Sequence, residues 1–302
     1  MNIPESSRSG IYKYLGDETD SFLSCVEKRI EKFTDEWKLN DFTFMQTDTV
    51  NLLYSCESEL FGACVLKMCI PGPEVVTEIN CLRAYDGKGY CKLHAYDTDE
   101  DVLLLEKVTP GNQMWDVGCC KERARLMGET IKNLQFTSNV QEQYPTYLSW
   151  MERIHKTLTD RGGLEDVLFY LDKAMEIYTE LKHRHSKACL LHGDMHQENM
   201  LLNSFGGYTI IDPKGVVDDP VMETARFLMN ETPCDESKIR EMATIMSPLI
   251  NISESDILKS MYIDAALGNS WTMEEHYTSR EAFEAGRADV LKTCGFVYGL
   301  LS

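Results

Sequence analysis

An α+β chain of two unequal lobes, a small antiparallel β lobe followed by a larger helical one, is the fold class that the sequence predicts. Three observations point to it. Residues 42–106 hold short apolar runs rich in β-prone residues and divided by polar turns. From Met114 onward apolar residues recur mostly at spacings of three and four, the helical period. Between Leu190 and Asp219 the chain reads LLHGDMHQENMLLNSFGGYTIIDPKGVVDD, a polar loop between short apolar strands and then a third strand ending on a carboxylate. The lobes are expected to meet near Lys107, giving a first unit of residues 1–106 and a second of residues 107–302.

A chain of 302 residues can bury a sizeable core, and 43% hydrophobic with 26% charged residues is an ordinary globular balance. No apolar run reaches the roughly 18 residues of a membrane span. The opening MNIPESSRSG has no apolar segment of the secretory kind. Eleven cysteines without a C-x-x-C pair read as reduced thiols in a cytoplasmic protein, with zinc not expected. A net charge of −19 argues against nucleic acid. It also favours a cationic partner, although acidity for solubility is the simpler account.

In chain order, a dozen patternless residues precede a helix over residues 19–38, whose Phe22, Val26, Ile30, Phe33 and Trp37 form one apolar stripe. FTFMQT, VNLLYSC and FGACVLKMCI read as strands. Residues 47–51, TDTVN, sit where a hairpin would cover phosphates, but there is no G-x-G-x-x-G. No G-x-x-x-x-G-K-[ST] occurs anywhere, which excludes a P-loop enzyme. Lys67 is the lone cation in an apolar strand, an arrangement that demands a partner. ACVLK resembles the V-A-I-K strand, whose Lys reaches nucleotide phosphates and pairs with a helix Glu. Glu78, in a helix over residues 73–84, is the expected partner, and Glu74 is the other candidate. Strands follow at 89–95 and 101–106, where LLLEKVTPG reads as a buried edge strand leaving into a Pro-Gly turn.

Helices are expected over residues 114–134, 147–158 and 164–182, with His183 and His185 at a solvated helix end. Asp219 and Pro220 read as N-cap and first residue of a helix whose Glu223 and Arg226 tie it to the preceding loop. Residues 235–302 read as three or four helices, Ser253 to Asp256 marking a helix start. NSWTMEEH, residues 269–276, reads as a polar break between two of them.

The spacing of the polar residues carries the chemistry. Asn199 follows Asp194 by five residues, and Asp212 follows Asn199 by thirteen. Asn and Asp are hard oxygen ligands for Mg2+, while a further Asp can orient a hydroxyl and take its proton. Kinase catalytic loops use this arrangement. A hydrolytic metal cluster of His192, Asp194 and His196 is a competing reading that leaves Asn199 and Asp212 without a task. An inactive scaffold is another.

HGDMHQEN followed by IIDPKGVVDDP resembles the aminoglycoside phosphotransferases, and the Asp-Pro-Lys-Gly most resembles their streptomycin 6-kinase and hydroxyurea kinase branch. The resemblance extends from about residue 65 to 228. It implies a bilobal protein-kinase-like fold using ATP and Mg2+, the choice between ATP and GTP being left open. Asp194 would be catalytic, Asn199 and Asp212 would hold the metal, and Lys67 with Glu78 would serve the phosphates. Backbone near Glu106 and Val108 would meet the adenine. Lys214, Trp271, Glu274 and Glu275 would face the acceptor, a hydroxyl-bearing and cationic small molecule such as streptomycin. Alternatives are a housekeeping kinase for an amino alcohol, a sugar or a hydroxyurea-like acceptor, and a nucleotide-binding protein without turnover. Glu223 departs from the Asp common in the family. Without Asp-Phe-Gly or Ala-Pro-Glu segments, a protein kinase is disfavoured. Monomer and homodimer are left open.

Overall fold

The computed structural model describes residues 3–46, 50–138, 140, 143–232, 234–271, 273 and 280–301. Its first lobe comprises helices α1 (Glu5–Leu15), α2 (Thr19–Ser24) and α3 (Val26–Trp37), strands β1 (Leu39–Met45), β2 (Leu52–Ser58) and β3 (Gly62–Met68), helix α4 (Pro73–Tyr85), and strands β4 (Leu93–Asp97) and β5 (Val102–Glu106). The strands form one antiparallel sheet in the order β1-β2-β3-β5-β4.

Strand alternation divides β3 between two cores. Cys64, Leu66 and Met68 face an outer core shared with Phe33, Trp37 and Tyr54. Val65 and Cys69, and so the Lys67 between them, belong to the other face, where α4 brings Val75, Ile79 and Leu82. The apolar stripe expected from the sequence is buried as a unit, each large side chain contributing about 1.5–3 kcal/mol.

Three sequence expectations need correction here. The opening dozen residues are not patternless coil: α1 drives Ile11 into the outer core, fully buried. The helix expected over 19–38 is divided at Cys25 into α2 and α3, with the stripe continuing across the break. β5 is not an edge strand, because β4 pairs along its far side; its faces are buried by the two cores, Val102 and Leu104 in the outer one and Leu103 in the other.

The second lobe comprises β6 (Pro110–Gln113), α5 (Cys120–Asn133), α6 (Tyr147–Arg161), α7 (Glu165–Lys182), β7 (Cys189–Leu191), β8 (Met200–Asn203), β9 (Tyr208–Ile210), β10 (Val216–Asp218), α8 (Ala225–Glu231), α9 (Glu236–Ile250), α10 (Glu254–Trp271) and α11 (Arg280–Gly299). The predicted helix at 114–134 begins only at Cys120, after strand β6 and a single 3-10 turn. α10 is buried nearly all round and packs on α6, α7, α8, α9 and α11. It also corrects the expected polar break: Asn269, Ser270 and Trp271 continue the helix. Asn269 Nδ2 and Ser270 Oγ donate back to the carbonyls of Ala265 and Ala266, so their polar groups need no loop. The rest of that stretch, Met273 excepted, lies outside the described residues.

Tyr90 and Cys91 link the lobes. Cys91 N–H donates to the Ile210 carbonyl and Ile210 N–H to the Gly89 carbonyl, which anchors the end of β9 just before Asp212. His185 is not at a solvated helix end. Its Nε2 lies 3.0 Å from Asp256 Oδ2 and its Nδ1 3.7 Å from Asp219 Oδ1, because the first turn of α10 and the cap at Asp219 converge on it. Among the described residues no helix is long and apolar enough to cross a membrane.

Candidate active site

On the first-lobe side, Lys67 is 4% exposed and finds the partner that its burial demands. Its Nζ lies 2.7 and 2.8 Å from the two carboxylate oxygens of Glu78 on α4, and it also bonds Asp212 Oδ1. Burial works against the Lys67 charge, but Asp212 and Glu78 outweigh it and raise its pKa well above the ordinary value. Asp212 responds in the opposite direction: burial disfavours its charge, yet Lys67 and Lys214 hold its carboxyl below the usual range. At neutral pH the Lys67–Asp212 pair is ionised.

The two halves of the long motif are stapled together at His192, which is fully buried. Its Nε2–H donates to the Ile211 carbonyl at 2.8 Å, and its Nδ1 accepts the Asp194 N–H at 3.0 Å. These bonds require the neutral ring, and burial lowers its pKa to about 4. The His192 carbonyl accepts the N–H groups of Lys214 and Gly215. With both ring nitrogens committed to backbone, His192 cannot be a metal ligand. Among the described residues no group of three or more His, Cys, Asp or Glu side chains is placed to hold a metal ion. The hydrolytic-cluster reading therefore falls.

Two glycines permit this proximity. A Cβ on Gly193 (φ 80°) would lie 2.8 Å from Val216 Cγ1, and one on Gly215 (φ 70°) 2.7 Å from the Thr77 carbonyl. The loop is thereby pressed between β10 and α4. Thr77 Oγ1 donates to the Lys214 carbonyl, and Lys214 Nζ lies 3.0 Å from Glu74 Oε2. Glu74 thus partners Lys214, leaving Glu78 to Lys67. Glu223 accepts the Gly193 N–H at 3.0 Å, and burial lifts its pKa to about 7.

Asp194 is held from the second lobe. Arg226 Nε on α8 lies 3.1 Å from Asp194 Oδ1, and Arg226 Nη2 lies 3.2 Å from Asp264 Oδ1 on α10. Burial alone would raise the Asp194 pKa, but Arg226, then His196 and Lys214, keep it below its ordinary value. Asp264 is 1% exposed, and burial raises its carboxyl to about 6 despite Arg226. Gly268, one turn after Asp264, gives Arg226 its room, since a Cβ there would meet the guanidinium at 2.6 Å. Asn199 Nδ2 donates to the Asp194 carbonyl at 3.0 Å, and Ile211 N–H donates to the Asn199 carbonyl. Asn199 and Asp212 are thereby tied to neighbouring stretches of backbone.

Glu106 N–H donates to the Lys92 carbonyl, and Lys107 N–H closes the ladder onto Ala63. Val108 is buried where the chain leaves the sheet. Trp271 stands beside Asp194's partner, its ring 5.7 Å from the Arg226 guanidinium and edge-to-face with Trp150 at 5.4 Å. Glu274 and Glu275 lie outside the described residues. Sequence reasoning did not single out Asp264, Trp150 or Gln197. Gln197 is fully buried and ties the loop that bears Asp194 to Glu231 and the Phe227 carbonyl. Asp264 had a readable signal, a lone carboxylate in the apolar run MYIDAAL.

Residues 44–276 match the family described as aminoglycoside/hydroxyurea antibiotic resistance kinase. The chain belongs to that family. It is a small-molecule kinase with the protein-kinase-like fold. A hydroxyurea phosphotransferase of Kitasatospora aureofaciens is 25% identical over 240 residues, covering 76% of this chain and 68% of the relative. A streptomycin 6-kinase of Streptomyces glaucescens is 20% identical over 226 residues, 73% of this chain and 72% of the relative. Among solved structures, amicoumacin kinase hAmiN in complex with AMP-PNP, Ca2+ and Ami superposes with a TM-score of 0.62 at 16% identity, covering 88% of this chain and 93% of that one.

Proposed function

We propose that this member of the family transfers the γ-phosphoryl group of ATP to a hydroxyl of a small, cationic acceptor of the aminoglycoside type, streptomycin being the first candidate. The observation that carries the reading is the junction of Lys67, Glu78 and Asp212 in one ion cluster, stapled through His192 to the loop that bears Asp194 and Asn199. The AMP-PNP in the amicoumacin kinase structure supports the choice of nucleotide.

Asn199 and Asp212 suit a Mg2+ ion by their donor chemistry. Asp212 Oδ1 is engaged by Lys67, and its side chain is 36% exposed. Asn199 uses its amide nitrogen internally. Each therefore offers one hard oxygen, enough for an ion that completes its shell with phosphate and water. Mg2+ held there would neutralise charge on the phosphate oxygens during transfer. Lys67 would bind phosphate oxygens, with Glu78 keeping it charged and in place. The hinge backbone near Glu106 and Val108 would receive the adenine.

Asp194 would orient the acceptor hydroxyl and take its proton as the new P–O bond forms. Its lowered pKa makes it a weak base, so its contribution is orientation more than proton affinity. Phosphoryl transfer through a loose transition state asks for little more. Lys214 stands near both Asp194 and Asp212 and would face the phosphoryl group. Trp271, with Trp150, supplies a flat wall on the acceptor side. The net charge of −19 favours a cationic acceptor over an anionic one.

Mg2+-dependent ADP release, measured with streptomycin, other aminoglycosides, hydroxyurea, amino alcohols and sugars, tests the reading. Turnover with an aminoglycoside is the expected result. Turnover confined to amino alcohols or sugars would overturn the acceptor assignment and keep the kinase. Nucleotide binding with no turnover on any acceptor would count against transfer itself.

A further inference from the structure

Lys107 extends β5 on the cleft side of the first lobe, and no role given so far explains its side chain. Alternation along β2 and β3 puts Leu53, Ser55 and Val65 on the face opposite the outer core, the face that also carries Lys67. On that face the pairing runs in rows. Leu53, Lys67 and Leu103 form one row, and Ser55, Val65 and Leu105 form the next, about 7 Å along the strands. Lys107 begins a third row, its N–H donating to the Ala63 carbonyl, and Glu57 pairs with Ala63 from the other side.

The Lys107 ammonium does not meet the carboxylate in its own row. Its Nζ donates to Ser55 Oγ at 2.7 Å, so its stem crosses β3 between Ala63 and Val65. Among the described residues no carboxylate pairs with it, whereas Lys67 is closed by Glu78 and Asp212. In a chain with 49 acidic and 30 basic residues, this half-buried cation is held by a neutral hydroxyl. Such a bond fixes a long flexible side chain more weakly than a carboxylate would. A cation held in this way on the cleft face can exchange its partner for a ligand's acceptor atom.

We propose that Lys107 is a nucleotide-binding residue whose ammonium leaves Ser55 and donates to a ring nitrogen or ribose oxygen of the nucleoside. The proposal rests on the reading of the backbone near Glu106 and Val108 as the base site. The rows give the placement: Lys67 serves the phosphates, and the Lys107 ammonium lies one row nearer the hinge. An ammonium donates three hydrogens and accepts none. It therefore cannot serve the adenine amino group and leaves that edge to the hinge backbone.

Binding of AMP-PNP, with Mg2+ and in EDTA, and of adenosine by competition against it, tests this without any acceptor. Wild type, Lys107→Met and Ser55→Ala are compared, each checked by thermal melting. Met keeps the apolar stem and removes the ammonium. Lys107→Met is expected to weaken AMP-PNP and adenosine by the same factor, about tenfold, with Mg2+ and without it. Ser55→Ala removes only the resting partner and should bind both at least as tightly as wild type. Equal affinity in wild type and Lys107→Met overturns the assignment, and weaker binding by Ser55→Ala overturns the exchange. A loss confined to AMP-PNP also overturns it, because the ammonium would then serve the phosphates. A wild type that binds neither ligand overturns the nucleotide reading itself, and this proposal with it.

Discussion

Two ion clusters flank the loop of residues 192–199, each with one cation between two carboxylates. In the first, Lys67 stands between Glu78 and Asp212; in the second, Arg226 stands between Asp194 and Asp264. Each has one more accessible carboxylate, Asp212 at 36% and Asp194 at 21% exposed, and one buried, Glu78 at 8% and Asp264 at 1%. They differ in origin, the first drawing on both lobes and the second on the second lobe alone. On the proposed function the two would divide the labour. The first cluster would exchange partners when phosphate and metal arrive, because Lys67 and Asp212 are both proposed to serve the nucleotide. The second would be a fixed mount that holds Asp194 through Arg226.

Three substitutions separate an exchangeable cluster from a fixed one. Arg226→Met leaves the buried Asp264 without its partner, so its carboxyl, already raised to about 6, takes up a proton; breaking a buried pair in this way costs up to about 3–5 kcal/mol. Denaturant unfolding should show a loss of about 3 kcal/mol, and a loss below about 1 kcal/mol would mean that the mount is not structural. Asp212→Ala should instead spare stability and weaken Mg2+-dependent AMP-PNP binding, by roughly the 10–100-fold typical of disturbed metal sites. Unchanged binding would remove Asp212 from the metal site.

Asp264→Asn probes the mount more gently, through pH. With its pKa raised by burial to about 6, the folded carboxyl keeps a proton that the unfolded chain has already lost. The stability this contributes is complete below about pH 4 and is lost as pH rises through about 6. Asn cannot titrate, so the variant should gain on wild type by about 2 kcal/mol between pH 4 and pH 7. A constant difference across that range would show that Asp264 keeps an ordinary pKa.

The same contrast accounts for what was legible in the sequence. Lys67 stood out as a lone cation in the apolar run ACVLKMCI, and its Glu78 partner followed from the next helix. Asp194, Asn199 and Asp212 were legible because short loops hold them at fixed offsets. Asp264 offered the same kind of signal in MYIDAAL but lies seventy residues after Asp194, with no offset to connect them. Its partner Arg226 was expected to touch the loop, yet only the packing of α10 against α8 shows what lies on its other side. Fold elements failed for related reasons. The pairing of β4 along β5 is a long-range choice that local pattern does not encode, and α10 continues past Asn269 because its polar groups bond to its own carbonyls.

Comparison of wild type with Asp194→Ala, measuring acceptor-dependent ADP release and AMP-PNP affinity in the same preparations, tests the central claim most directly. Turnover should fall by roughly 10²–10⁴ while Mg2+-dependent nucleotide affinity stays within about twofold. Retained turnover would contradict the role given to Asp194, and loss of nucleotide affinity in step with turnover would contradict the separation of the two clusters.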